Sequence, residues 1–250
     1  MKKGSIKLVM KWLTGSLIIM FAGLVALLST PSLLYASHTT VGNITIYHDE
    51  EIPEHLPASI KDAFDLVSES PLYSPDLKID LCLNDGSKYP QLVKGVLGDD
   101  VFAAFANKVV LIAQDAQHGR LNHWGQTMSY VQFLAHGMVH NYQFNYHGFW
   151  GSNPIGGYAN WKWEGYVEYE LFGKHVPFSD LKAKLDQTKG QFEWVILDST
   201  TSTIKRHLQY AMMVKYCLEE KEWTYDEMMD NGLDEEEILS EMFNFLETEN

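Results

Sequence analysis

Apolar and polar positions alternate with a period of two in LKIDLCL. Leu77, Ile79, Leu81 and Leu83 fall on one face, which predicts a strand with Cys82 on the opposite, more polar side. NITIYH (43–48) predicts a second strand. Between them the period changes. LPASIKDAFDLVSES places Ile60, Phe64 and Val67 at helical spacing, with Pro57 suited to a first helical position, and SPLYSPD follows as a turn-rich connection. After a loop marked by Gly and Pro, VFAAF and KVVLIA (101–105 and 108–113) predict a hairpin turning near Asn107. The first half thus predicts a small mixed sheet with one helix packed on it.

The second half is helical. One helix is expected from Thr127 or Ser129 to Tyr146, then a Gly/Asn/Pro loop, HGFWGSNPIGGYAN, then a second helix over WKWEGYVEYELFG (161–173). Helical patterns also cover 179–186, 203–220 and 234–247. Strands followed by helices give an α+β class, with residues 38–250 as a single domain made of a sheet-rich half (38–125) and a helical half (126–250).

Residues 1–37 stand apart. Lys2, Lys3, Lys7 and Lys11 precede an uncharged apolar run, WLTGSLIIMFAGLVALL (12–28), and small residues surround Ala36. This pattern fits a secretory signal peptide, although Leu34 occupies a position where a cleavage site prefers a small side chain. The run is also nearly long enough to span a bilayer, so an uncleaved anchor stays open. Either way the lysines stay inside and the rest is exported, as secreted, periplasmic or anchored protein.

The four leader lysines mask the charge of the remainder, which carries 15 basic against 33 acidic residues, or −18. Such a body is a poor ligand for nucleic acid or anionic lipid, so contact with a membrane is expected only through the N-terminal segment. Residues 226–250 hold ten Asp or Glu and no Lys or Arg, which reads as the solvated face of terminal helices. Cys82 and Cys217 show no spacing signature; export would permit a disulfide between them without requiring one.

The chemistry concentrates in FLAHGMVHNYQ (133–143). His136 and His140 are one helical turn apart, so both imidazoles can reach one ion. Downstream, Glu164 and Glu168 repeat that spacing on a second helix, where Trp161, Trp163, Tyr166 and Tyr169 argue against a solvated face. Two histidines and a glutamate with one open position form an established zinc set. Glu164 is the expected third ligand to one Zn²⁺. Glu168, one turn on, is expected to accept the spare N–H of a ligand histidine. His147 sits seven residues after His140 and reads best as a helix-end histidine. Phe149, Trp150, Tyr158 and Trp161 read as core closure or as the wall of a cleft.

These two segments, in this order, resemble the gluzincin zinc metallopeptidases, the branch that includes thermolysin. Their pattern is H-E-x-x-H, a linker, and a helix of form W-x-x-E-G-x-A-E/D-Y. The matching positions are His136, His140, Glu164, Gly165, Glu168 and Tyr169, and the linker of 23 residues is somewhat longer than in the best-known members. The resemblance covers about 43–247. It implies a zincin-like fold, zinc held by His136, His140 and Glu164, Glu168 as a supporting acid, and a peptide or protein as substrate or ligand. It also makes His207 or Tyr210 a candidate to stabilise an oxyanion.

The departure is Gly137. In the family that position is the glutamate that deprotonates the zinc-bound water, and losing a positioned general base costs about 10²–10⁴-fold. The expectation is therefore an extracytoplasmic, metallopeptidase-like zinc protein with weak or no peptide hydrolysis. The alternatives are an active peptidase with a substitute base and a peptide-binding scaffold without turnover. Two accounts of Gly137 are open: drift at a site that no longer needs an acid, or a gap that admits a ligand or an acid from elsewhere.

Overall fold

A computed structural model describes residues 3–98, 102–112, 120–123, 126–230 and 232–248. Helix α1 (Lys3–Ser29) contains a stretch, Met10–Ser29, long and apolar enough to cross a membrane, and none of that stretch is buried. A single helical turn at Pro31–Leu33 leads into strand β1 (Ser37–Val41), which pairs antiparallel with β2 (Ile44–His48). Helix α2 (Leu56–Val67) then crosses to β3 (Ile79–Cys82), parallel to β2. Helix α3 (Lys88–Leu97) precedes the hairpin of β4 (Phe102–Phe105) and β5 (Lys108–Leu111). The sheet order is β1-β2-β3-β5-β4, parallel at its centre and antiparallel at both edges. The class is α+β with a small mixed sheet, as the alternation predicts.

Three expectations for this half need correction. Two helices, not one, pack on the sheet, because α3 occupies what the Gly/Pro pattern marks as loop. Pro90 lies in its first turn, where a missing N–H is harmless. Strand β1 begins inside the segment assigned to the leader. Cys82 does not face a polar surface. One sheet face carries Ile44, Ile46, Ile79, Leu81, Val109 and Leu111 into the main core, and the other carries Cys82, Val110 and Ile112 into a second core with Tyr35, Tyr89 and Val93. Both cysteines are buried and free.

The helical half covers the first of these faces. After the short hairpin β6 (Arg120–His123) and β7 (Gln126–Ser129), α4 runs Tyr130–Gly151, with the Ser129 hydroxyl capping Val131 N–H and a break at Gly148 (φ 68°). Helix α5 (Asn160–Leu171) packs beside it, followed by α6 (Phe178–Gln187), the hairpin of β8 (Trp194–Ile196) and β9 (Ser202–Ile204), α7 (Lys205–Lys215), α8 (Tyr225–Met229) and α9 (Glu235–Thr248). Two glycines set the layer spacings. A Cβ on Gly137 would fall 2.8 and 2.9 Å from the γ-methyls of Val109, so α4 lies hard against β5. A Cβ on Gly165 would fall 2.8 Å from the carbonyl oxygen of Tyr210, so α5 and α7 meet backbone to backbone.

Candidate metal centre

Helix α4 is fixed to the sheet before it presents any chemistry. Asn141 donates through Nδ2 to the carbonyls of Ala106 and Lys108, 3.1 Å each, stapling the helix to the β4–β5 turn. With Gly137 and Asn141 facing the sheet, His136 and His140 project roughly 100° further round the helix, against Glu164 of α5. Gln132 ties the start of α4 to β9, donating to Ser202 O (2.6 Å) and accepting from Ser202 N–H (3.2 Å).

Three side chains converge. His136 Nε2 lies 3.1 Å from His140 Nε2, and Glu164 Oε2 lies 3.4 and 3.3 Å from those two nitrogens. Donors held about 2.0–2.1 Å from a tetrahedral first-row ion are about 3.3–3.4 Å apart, so the triangle fits such an ion at one apex with its fourth position open. The chemistry of the set agrees. Two imidazole nitrogens aimed at each other beside a carboxylate need a proton or a cation between them. His136, His140 and Glu164 can therefore hold a metal ion. Burial alone would lower His140, but the charge and hydrogen bonding of Glu164, with help from Gln143, raise it above the ordinary histidine range. Burial alone would raise Glu164, but the two imidazoles, His140 foremost, hold it well below the usual carboxylate range.

The surrounding groups orient these three. Gln143 Oε1 accepts from His140 Nδ1–H at 2.9 Å, which leaves the Nε2 lone pair facing the centre. The same amide donates through Nε2 to Trp163 O (3.1 Å), coupling α4 to the residue before Glu164. The His140 ring stacks on Trp163 and the His136 ring meets the edge of Phe102. Glu168 is the expected partner of a ligand histidine, and the geometry differs. Glu168 Oε1 is 3.8 Å from His136 Nδ1, beyond hydrogen-bond reach, and instead accepts from His207 Nδ1–H at 3.2 Å. Its Oε2 is buried without a hydrogen-bond partner among the described residues. Burial alone would lower His207, but the hydrogen bond and charge of Glu168 raise it.

The open side of the triangle faces a cleft of ≈ 460 Å³. Its apolar wall includes Phe102, Phe133, Trp194 and Ile204, and Asn153, Asn160 and His207 add polar groups. Of the two oxyanion candidates, His207 lines this cleft and Tyr210 does not. The Tyr210 hydroxyl is engaged by the Arg206 guanidinium, whose Nε–H donates to it. His147 lies away from the triangle, in a cluster where its Nε2 meets the Tyr225 hydroxyl (2.9 Å), and burial lowers it below the ordinary range. Trp161 is fully buried and Tyr158 stacks on Trp163, while Phe149 and Trp150 are exposed and line no part of the cleft.

Gly137 is no gap. The volume a side chain would need is occupied by Val109, a buried β-branched residue of a strand paired on both sides, so neither a ligand nor an imported acid has room there. Among the described residues lining the cleft, the only carboxylates are Glu164 and Glu168. Gln143 is the functional side chain that motif spacing alone does not single out, although it stands three residues after His140 in HNYQ, within reach on the same helix face. No known protein family, curated protein or solved structure matches the chain.

Proposed function

We propose that this chain is an extracytoplasmic zinc-binding protein of gluzincin-like design with weak or no peptidase activity. The observation that carries the proposal is the convergence of His136, His140 and Glu164 on one point, on a helix whose base position is closed by Val109. Two imidazoles and one carboxylate in tetrahedral spacing favour Zn²⁺ over the hard oxygen-seeking cations. When bound, zinc supplies Lewis acidity, polarising a carbonyl and making water more acidic.

The chain's own residues set the rest. Gln143 holds His140 in the ligating tautomer, and Phe102 and Trp163 fix the two rings. Glu168 orients His207 with Nδ1 protonated, so that Nε2 is the ring atom left to meet a cleft ligand. The apolar wall suits an extended peptide segment. Among the described residues lining the cleft, no carboxylate besides Glu164 and Glu168 is present to take a proton from the nucleophile, and losing a positioned base removes about 10²–10⁴-fold of rate. Peptide binding without turnover is the matching expectation.

Elemental analysis of the full-length chain, purified without chelators, tests this beside His136→Ala and Glu164→Gln. One zinc per chain in the parent, its loss in His136→Ala, and peptide turnover equally low in both are expected. Absence of metal from the parent overturns the zinc site. Robust peptidase activity abolished by His136→Ala overturns the assignment of weak activity.

A further inference from the structure

We propose that α1 is a retained membrane anchor, not a cleaved leader, and that residues 28–36 couple it rigidly to the domain. The partner of its uncovered surface is the hydrocarbon of a lipid bilayer. Met10–Ser29 is 20 residues with mean hydropathy 2.0, and at about 1.5 Å per residue a helix of that length matches the hydrocarbon thickness of roughly 30 Å. Leu17, Ile18, Ile19, Met20 and Phe21 are all exposed along it. Trp12, 72% exposed, sits beside Lys11 at the end nearer the lysines, where an amphipathic ring and a cation belong at a headgroup boundary. The lysine bias places that end in the cytoplasm and the domain outside.

A cleaved leader would share these features up to Ser29. The junction between helix and domain distinguishes the two. Leu28 and Leu34 pack on the second core, Pro31 is buried, and Tyr35 is a member of that core with only 8% of its surface exposed. The Tyr35 hydroxyl donates to Leu83 O at 2.6 Å, and the Tyr89 hydroxyl donates to Leu28 O at 2.6 Å. The residues around the small-residue site are already in the fold. Ala36 N–H donates to the Asp49 carboxylate (2.6 Å), and Ser37 is paired with His48 at the start of β1. In the folded domain this stretch is closed by hydrogen bonds and packing, so the residues on both sides of Ala36 are structural parts of the fold. Cutting after Ala36 would remove Tyr35 from its place against Tyr47 and Tyr89, strip cover from Cys82 and Val110, take the Leu28 acceptor from the Tyr89 hydroxyl, and leave Leu83 O with the longer Ser87 hydroxyl contact (3.5 Å) in place of the Tyr35 bond. The foot of α1 and α3 lies on one face of the sheet and the metal-bearing α4 on the other, so anchoring does not require the metal helix to face the bilayer.

The test uses the full-length chain made with its own leader in a bacterial host with active signal peptidase. An intact mass that includes residues 3–36, in protein that stays in the membrane pellet after alkaline washing and is released only by detergent, is expected. A mature chain lacking the span and recovered in the soluble fraction overturns the proposal. In the detergent-solubilised full chain, Tyr35→Ala is expected to lower Tm by roughly 5–15 °C, as loss of a buried aromatic does in a domain of this size. An unchanged Tm overturns the rigid coupling. Neither readout depends on metal, so both stand apart from the test of the zinc site.

Discussion

Replacing Gly137 by alanine sets two effects against each other. Helix propensity favours alanine by about 1 kcal/mol in mid-helix. Packing opposes it. The new Cβ falls 2.8 and 2.9 Å from the Val109 γ-methyls and 3.4 Å from its Cβ, with the first two well inside van der Waals contact. Val109 is β-branched and stiff at χ1, and its strand is held by β3 and β4, so it cannot swing aside. Helix α4 must lift, against the two Asn141 bonds that hold it to the β4–β5 turn. Overpacking of this kind costs about 1–3 kcal/mol, which leaves Gly137→Ala destabilised by about 0–2 kcal/mol. Val109→Ala alone removes two buried methyls and is expected to cost about 2 kcal/mol. In the double variant each change relieves the other, giving a favourable coupling of about 1–3 kcal/mol. Denaturant unfolding of the four proteins of this cycle, in detergent with chelator present, measures it. A Gly137→Ala protein more stable than its parent, with effects additive to within about 0.5 kcal/mol, would show that Val109 does not fill the position. For the same reason Gly137→Glu by itself is expected to destabilise the fold rather than restore a base.

Gln143→Leu keeps the volume but removes the acceptor for His140, and is expected to weaken zinc binding about 10–100-fold in competition with a chromophoric chelator; unchanged affinity would refute the orienting role. The metal-free pair also predicts a pH dependence. His140 is raised above 6.5, so its stabilisation is complete below that pH and is lost as pH rises through its folded value. Glu164 is held below 4.5, so its contribution is present above that pH and is lost only as the medium becomes more acidic than its folded value. Metal must displace the His140 proton and binds better as pH rises. The zinc-induced rise in Tm is therefore expected to be larger at pH 8 than at pH 5.5, and an equal or inverted difference would count against the pair.

The elements that carry the metal triad are the ones the sequence states most plainly. The helical character of α4 and α5 and the i, i+4 pairs His136/His140 and Glu164/Glu168 are legible in the sequence, although both helices are buried on most faces and carry no clean apolar stripe. What periodicity cannot state is which neighbour each face meets. Glu168 serves His207 rather than His136 because α7 packs on α5, a contact between segments 39 residues apart. The filling of Gly137 by Val109 is equally tertiary. Short elements escape the pattern for local reasons: α3 behind Pro90, and the hairpins β6–β7 and β8–β9 because three or four residues carry too little periodicity. The second core escapes it because Tyr35 sits in a stretch that reads as leader.

Gly165 directly follows Glu164 of the candidate metal triad in sequence, and there α5 touches the main chain of α7. The gap between the two helices is thus gauged by peptide groups, which cannot be trimmed or enlarged by substitution, rather than by side chains, which can. Even a methyl group at that point would prise the helices apart and carry His207 out of reach of Glu168. The distance across the floor of the cleft is in this sense machined into the backbone, and side chains that vary along its walls leave that dimension unaltered.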